Sequence, residues 1–538
     1  MRISGVRASA ASSSMRPGRR PSTSTSQTMI RPFPSARLRS VNRPALLTLT
    51  GAGLFLAALD AYVVVTVLVN ASDPRASILT SLNIPVNHFE RATPIITGFL
   101  LGYLAAMPLA GGLSDRFGRL RIFSLCMTLF ALGSLLTATA PSLGQLVTGR
   151  LLQGAGGGAL VPAVLALAAD LYPAGNRSPV LGAVSALQEI GSVLGPLWGG
   201  LIAGMLGWTW IFWINLPLAG LILWALWPQM RIAGEPTQPA HLDWLGVGLA
   251  TAGLAFLTLA LYAANPEQSP VGEGFLWQAP LAVVFFALFV WRERRAPHPL
   301  INVRRFRDSS FSGSALTNAI AGAGLMVALV YIPVLANAVF SMNATGAALL
   351  LLRLMVGIPI GALLGGWLAQ QLRSYRVVAA AGLILAAVGF LLLSGWNEGS
   401  LGPHLLGSPI RVADAQLFLT GLGLGIEIAP VSAALLDAVG EAERGAGASF
   451  LIVMRLIGML VGFSLVAGFG LWAFHRATAQ LIPPVGLNPT AYALYIVQFK
   501  QAIFDEYHLI FRATAIALVI GALLAAATLR PLPRPRWR

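Results

Sequence analysis

Apolar residues in this chain come in long, nearly unbroken runs, and polar residues gather between the runs. A helix needs roughly 20 residues to cross a bilayer, and that length recurs from one end to the other. The pattern predicts about fourteen spans, over 45–70, 92–113, 120–140, 144–171, 178–205, 208–228, 244–264, 275–291, 310–338, 344–370, 375–395, 412–436, 446–472 and 509–530. The connections leave no room for a soluble domain. With 56% of its 538 residues hydrophobic and only 10% charged, the chain reads as an all-α membrane protein.

The net charge of +16 would point to nucleic acid in a soluble protein, but here it lies in the connections, so no nucleic-acid partner is expected. Cytoplasmic connections are enriched in Lys and Arg. Numbered from a cytoplasmic start, the even connections carry Arg116, Arg119 and Arg121, then Arg177, then Arg292, Arg294, Arg295, Arg304, Arg305 and Arg307, then Arg373 and Arg376. Arg75, Arg91, Arg411 and Arg476 are scattered exceptions on the other side. Both termini are therefore expected inside, in a bacterial cytoplasmic membrane. Residues 1–43 are rich in Arg, Ser and Pro and contain no acidic residue. They read as a disordered basic tail at an anionic leaflet, or as an over-long gene start with Met15 or Met29 as the true beginning; residues 531–538 form a second basic tail.

Chemistry other than transport finds little footing. The lone Cys126 excludes an internal disulfide and a Cys-based metal site, and the six histidines show no metal-ligand spacing. "GAGGG" at 154–158 lies inside a predicted span, without the preceding strand a nucleotide loop needs. No Walker motif occurs, so no enzyme activity and no cofactor are expected, and energy should come from an ion gradient.

Two stretches repeat at matching places. "GGLSDRFGRLR" (111–121) follows the second span and "GWLAQQLRSYR" (366–376) the tenth, with Leu113 matching Leu368, Arg121 matching Arg376, and Gln370 standing where Asp115 does. Repeated halves with a substrate path between them are a common transporter plan. The first stretch resembles the signature loop of the major facilitator superfamily, with Gly112, Asp115, Arg116, Gly118 and Arg119 in its pattern. "LVTGRLLQGAGGGALVPA" (146–163), containing Arg150, resembles that family's fourth-helix motif. "LQEIGSVLGPLWGG" (187–200), with Gly191, Gly195, Pro196 and Gly199, resembles its antiporter motif. "WTWIFWINLPL" (208–218) and the arginine-rich connection at 292–308 are similar to the fourteen-span drug:proton antiporter branch. Within it, "ALDAYVVVT", the stretch beginning at Ile84, "QEIGSVLGP" and "GIPIGALLGGWLA" most resemble mycobacterial transporters that export triacylglycerides with a lipoprotein partner.

The resemblance implies two six-helix bundles, 44–228 and 309–530, joined by a segment 229–308 that carries two additional membrane helices. It implies a proton-coupled exporter of a lipid or lipid-like amphiphile; a multidrug:proton antiporter is the alternative. The signature loop would close the cytoplasmic side. Gly111 and Gly112 allow close packing, Asp115 can face the positive start of another helix, and Arg119 can reach acidic groups across the gate. A simpler role, as charges that fix topology, explains the arginines but not the carboxylate.

A charge at the bilayer centre costs between about 2.5 and more than 10 kcal/mol, so buried ionisable residues are the candidates for coupling. Asp60 sits in the middle of "LAALDAYVVVTVLVNA" (56–71), either as a proton carrier or as a hydrogen-bonding link between helices. Glu189 lies deep in the fifth span beside the glycine repeat, and Arg455 equally deep in the thirteenth. They can pair across the two bundles, as a switch that protonation opens or as a permanent strut. The resemblance gives Arg150 an anchoring and proton-relay role. Arg353 and Glu427, in the second half, are placed where either could snorkel to an interface.

The connection at 471–511 is unusually long, with an amphipathic segment at 491–507. The extension 473–508 could continue an apolar path beyond the membrane or dock a periplasmic lipoprotein acceptor, or be a plain insertion. The Gly- and Pro-punctuated stretch 394–414 reads as a hairpin-like external loop.

Overall fold

In a bilayer core every backbone amide must find its partner within the protein, which leaves helices as the natural form for these apolar runs. The computed structural model bears this out. It describes residues 42–67, 78–82, 93–233, 243–261, 271–297, 299, 302–340, 342, 344–404, 411–439, 441–478, 481 and 489–531. The expected basic tails lie outside these, save for 42–43 and 531.

The helices are α1 (Arg43–Val67), α2 (Ile78–Ser81), α3 (Thr93–Phe117), α4 (Arg119–Ala138), α5 (Leu143–Leu171), α6 (Ala174–Leu206), α7 (Thr209–Ala233), α8 (Trp244–Leu261) and α9 (Phe275–Glu293). They continue as α10 (Ser309–Ala338), α11 (Ala344–Gln371), α12 (Tyr375–Leu393), α13 (Val412–Ile426), α14 (Ile428–Ala438), α15 (Arg444–Thr478) and α16 (Pro489–Thr528). Local chemistry sets several ends. Ser142 receives the Gln145 amide at the start of α5, Asp308 that of Ser310 at α10, and Ser374 that of Val377 at α12, each satisfying a donor the first turn would otherwise leave open. Gly118 separates α3 from α4 at φ 100°, ψ 147°, a region essentially reserved for glycine.

Among the described residues, 12 helices are long and apolar enough to cross a membrane, or 13 if the bent pair Asn176–Gly195 and Leu197–Leu206 is one span. The expected fourteen is therefore not reached on that measure: the 25-residue α3, where the second span was expected, falls outside the set. The outer faces of these helices are apolar, with Leu201, Trp224, Trp277, Leu465 and Leu523 more than half exposed, as a lipid-facing surface requires.

The packing pattern occurs twice. In the first half α1 lies on α6, α3 and α4 on α5, and α4 on α7; in the second, α10 lies on α15, α11 and α12 on α13, and α12 on α16. The two sets meet where α6 crosses α11 and α15 crosses α3, and the α8–α9 pair rests on α3. One apolar core joins both sets near the α3–α4 loop, from Leu46, Leu171 and Leu181 to Tyr375, Leu435 and Leu451. Towards the opposite end, Val63, Ile95, Trp208 and Phe212 form a separate cluster within the first set.

The 471–511 stretch differs from its reading as a long connection. α15 runs on to Thr478 and α16 already begins at Pro489. Of the apolar positions there, Phe499 packs against Phe474 of α15 at 5.7 Å, while Leu494 and Val497 remain exposed on α16. At 1.5 Å per residue, the 40-residue α16 is about 60 Å long, twice the roughly 30 Å of the hydrocarbon layer. In the 394–414 stretch, His404 and Arg411 form an antiparallel bridge.

Candidate functional site: two buried charge clusters and a crossed lock

The first cluster lies between α1, α4, α5 and α7. Asp60 is fully buried and Arg150 is 1% exposed, and Arg150 Nη1 stands 2.6 Å from Asp60 Oδ2. Asn215 Nδ2 donates to Asp60 Oδ1 at 3.0 Å, so both carboxylate oxygens are engaged. Arg150 Nη1 also donates to Gln153 Oε1 at 2.8 Å, and Gln153 Nε2 donates to Ser134 Oγ at 2.6 Å. The guanidinium lies 4.1 Å over the Phe99 ring, which adds a cation–π contact in an apolar setting. Four helices are thus tied into one hydrogen-bond network around Asp60, with Ser134 of α4 bonded to Gln153 and Asn215. The glycine repeat in α6 brings that helix onto α1 beside it: a side chain at Gly191 would meet the Phe55 carbonyl, and one at Gly195 the Leu59 carbonyl. Gly199 is buried on the same helix, and Pro196 stands between Gly195 and Leu197, where α6 bends by 43°.

The signature loop meets the second half directly. Asp115 Oδ1 accepts from the Gly445 amide and Oδ2 from the Ala446 amide, both at 2.8 Å. These amides open α15, where the helix dipole and unsatisfied N–H groups favour an anion. Gly111 allows the approach, because a side chain there would collide with the Gly445 carbonyl; Gly112 is buried beside it. Arg119 pairs with Asp115 and, at 2.9 Å, with Asp170 at the end of α5. It therefore does not itself cross to the other half, as expected for it; Asp170 does, through Arg444 at 2.8 Å. Arg116 lies within electrostatic reach of Asp115 and of Asp243 and Glu293, beside and within the α8–α9 pair.

A second crossing mirrors the first. Arg177 of α6 pairs with Asp437 of α14, whose Oδ2 also accepts from the Tyr375 hydroxyl at 2.7 Å. Gln370, standing where the repeat lacks Asp115, donates to Asn176 Oδ1 at 2.8 Å near the start of α6. Each half thus offers an aspartate from the end of one helix to an arginine at the start of a helix in the other. Sequence reading missed Asp170, Asp437 and Arg444 and took Arg177 only as a topology signal. A signal was present: Asp170 precedes Arg177 by seven residues, and Asp437 precedes Arg444 by the same seven.

Glu189 and Arg455 do meet, α6 to α15, at 3.3 Å with side chains 11% and 17% exposed. Of the residues expected to snorkel, Arg353 pairs with Asp414 at 2.5 Å. Glu427 does not reach an interface at all, being 1% exposed. Helix packing from every side holds it inside. Among the described residues no group of three His, Cys, Asp or Glu side chains could hold a metal ion.

Residues 50–463 match the Major Facilitator Superfamily. The chain belongs to that family. Its curated relatives include the "Triacylglyceride transporter" of Mycobacteroides abscessus, 41% identical over 438 residues that cover 79% of this chain and 82% of the relative. Proteins of the same name from Mycolicibacterium smegmatis and Mycobacterium tuberculosis are each 38% identical, covering 90% and 88% of this chain and 87% and 92% of theirs. Among solved structures, the human organic anion transporter MFSD10 aligns with a TM-score of 0.58 at 16% identity, over 90% of this chain and 99% of its own. The proton:xylose symporter XylE aligns with a TM-score of 0.55 at 15% identity, over 89% and 94%. The chain is thus a multi-pass membrane transporter of this superfamily and not an enzyme.

Proposed function

We propose that this transporter exports a lipid or lipid-like amphiphile across the bacterial cytoplasmic membrane, driven by protons, through alternating access between the bundles α1–α7 and α10–α16. Relatives named for triacylglyceride transport support the substrate class. The observation that carries the coupling is Asp60, an acid with no exposure that shares Arg150 with Gln153 and accepts a hydrogen bond from Asn215. Such a group can exchange its arginine for a proton when the bundles move. One proton falling through about 100 mV supplies about 2.3 kcal/mol, to which any pH difference adds.

In this reading the α3–α4 end faces the cytoplasm, where both termini lie. The crossed pairs Asp170–Arg444 and Arg177–Asp437, with Asp115 on the start of α15, hold that end shut and must part for lipid to enter. Glu189–Arg455 is a further link between the bundles that protonation weakens. On the far side the long ends of α15 and α16 extend the apolar path towards a periplasmic lipoprotein acceptor.

The test is purified protein in liposomes with a fluorescent triacylglyceride and an imposed pH gradient. Lipid movement should follow the gradient and vanish in Asp60→Asn. Unimpaired coupling in that variant removes the role of Asp60, and transport of ethidium without lipid transport returns the multidrug alternative.

A further inference from the structure

Glu427 has no part in the mechanism so far. It stands inside one membrane span, Val412–Ala438, at the single residue between the end of α13 at Ile426 and the start of α14 at Ile428, where its backbone keeps helical angles. Its neighbours Leu424, Ile426, Ile428 and Ala429 are all buried. Gly382 of α12 is pressed against its backbone nitrogen, so closely that a side chain there would have no room. Neither carboxylate oxygen has a hydrogen-bond partner among the described residues.

The charged groups that act on Glu427 are Arg455 of α15 and Glu189 of α6. Two other ionisable groups on the elements packed around it are engaged elsewhere. Arg353 of α11 is paired with Asp414 of α13. Asp437 of α14 is held by Arg177 and Tyr375.

An ionised carboxylate buried with no hydrogen bond bears several kcal/mol of desolvation, whereas its protonated form bears the smaller penalty of a neutral polar group. Arg455 carries one positive charge, and that charge is matched by Glu189 at 3.3 Å. Two acids around one arginine are electrically balanced only if one of them holds a proton.

We propose that Glu427 is a proton-carrying residue that competes with Glu189 for Arg455. In the state described, Glu427 is protonated and Arg455 links the bundles through Glu189. When the Glu427 proton passes to Glu189, the O–H bond of Glu427 breaks and one forms at Glu189, the Glu189–Arg455 ion pair ends, and Arg455 turns to the Glu427 carboxylate within its own bundle. The three groups sum to zero charge before and after, so no net charge is created in the low-dielectric interior. The exchange converts a bond between bundles into one inside a bundle. It rests on the proton-coupled reading above and adds a second-half site to it.

The test is infrared difference spectroscopy of the full chain in liposomes at neutral pH, reading the protonated-carboxyl band by its shift in heavy water. The band should be lost in Glu427→Gln and kept in Asp60→Asn. It should also be lost in Glu189→Gln, because a neutral residue there frees Arg455 to hold Glu427 ionised. Glu427→Asp keeps the carboxyl and should shift the band, which covers the case in which the glutamine variant fails to fold. A band unchanged in Glu427→Gln, or unshifted in Glu427→Asp, overturns the protonated state. One that persists in Glu189→Gln overturns the exchange. If the bands behave as expected but lipid moves independently of a pH gradient, the proton-coupled reading falls and the exchange falls with it.

Discussion

At the scale of the residue, Asp60 and Arg150 depend on each other. Both are buried, and their 2.6 Å contact is what keeps either charge tolerable inside the first bundle. Breaking a buried pair by removing one partner costs about 3–5 kcal/mol, because the other is left uncompensated. Arg150→Met should accordingly lower the denaturation midpoint in detergent by that amount of stability, while Asp60→Asn combined with Arg150→Met should recover most of it. A combined loss equal to the sum of the two single losses would mean that the side chains are not coupled. Asp60 and Arg150 were each legible as buried charges out of place in apolar runs. Asn215, which engages the second oxygen of Asp60, was not, because an asparagine within "WINLPL" carries no charge to betray it.

At the scale of the element, glycine decides how closely helices meet and where they stop. Gly118 holds the α3–α4 turn at φ 100°, and Gly118→Ala should cost about 1–3 kcal/mol of strain, measurable as a lower thermal midpoint. It should also weaken the closed end, since Arg119 leaves that turn to reach Asp170. Gly195 lets α6 lie on the Leu59 carbonyl, one residue from Asp60. Gly195→Leu should therefore push α6 off α1 and abolish transport in liposomes while insertion in the membrane continues. The four-residue spacing of Gly191, Gly195 and Gly199 was readable as a packing face. Which helix it faces was not, because spacing describes one helix and contact needs two.

At the scale of the molecule, the two sets of helices touch through charge pairs and a shared core near the α3–α4 loop. Arg177 of α6 and Asp437 of α14 meet across the two sets. Arg177→Asp should therefore lower transport in liposomes, and Arg177→Asp combined with Asp437→Arg should recover most of it. A double variant no better than the worse single one would show that this pair does not couple the two sets.

The run lengths, the arginine bias of the connections and the signature loop sufficed to establish a helical transporter of this superfamily, since a bilayer admits few ways to satisfy a buried backbone. They also marked Asp60, Glu189, Arg150 and Arg455, because charge in hydrocarbon is conspicuous in any sequence. The partners came only with tertiary structure. Asp170 with Arg444, and Asp437 with Arg177, are separated by more than 250 residues along the chain, and each alone reads as an ordinary charge at a helix end. The isolation of Glu427 and the unbroken length of α16 were likewise decided by packing, because what surrounds a side chain depends on helices brought together from distant parts of the chain.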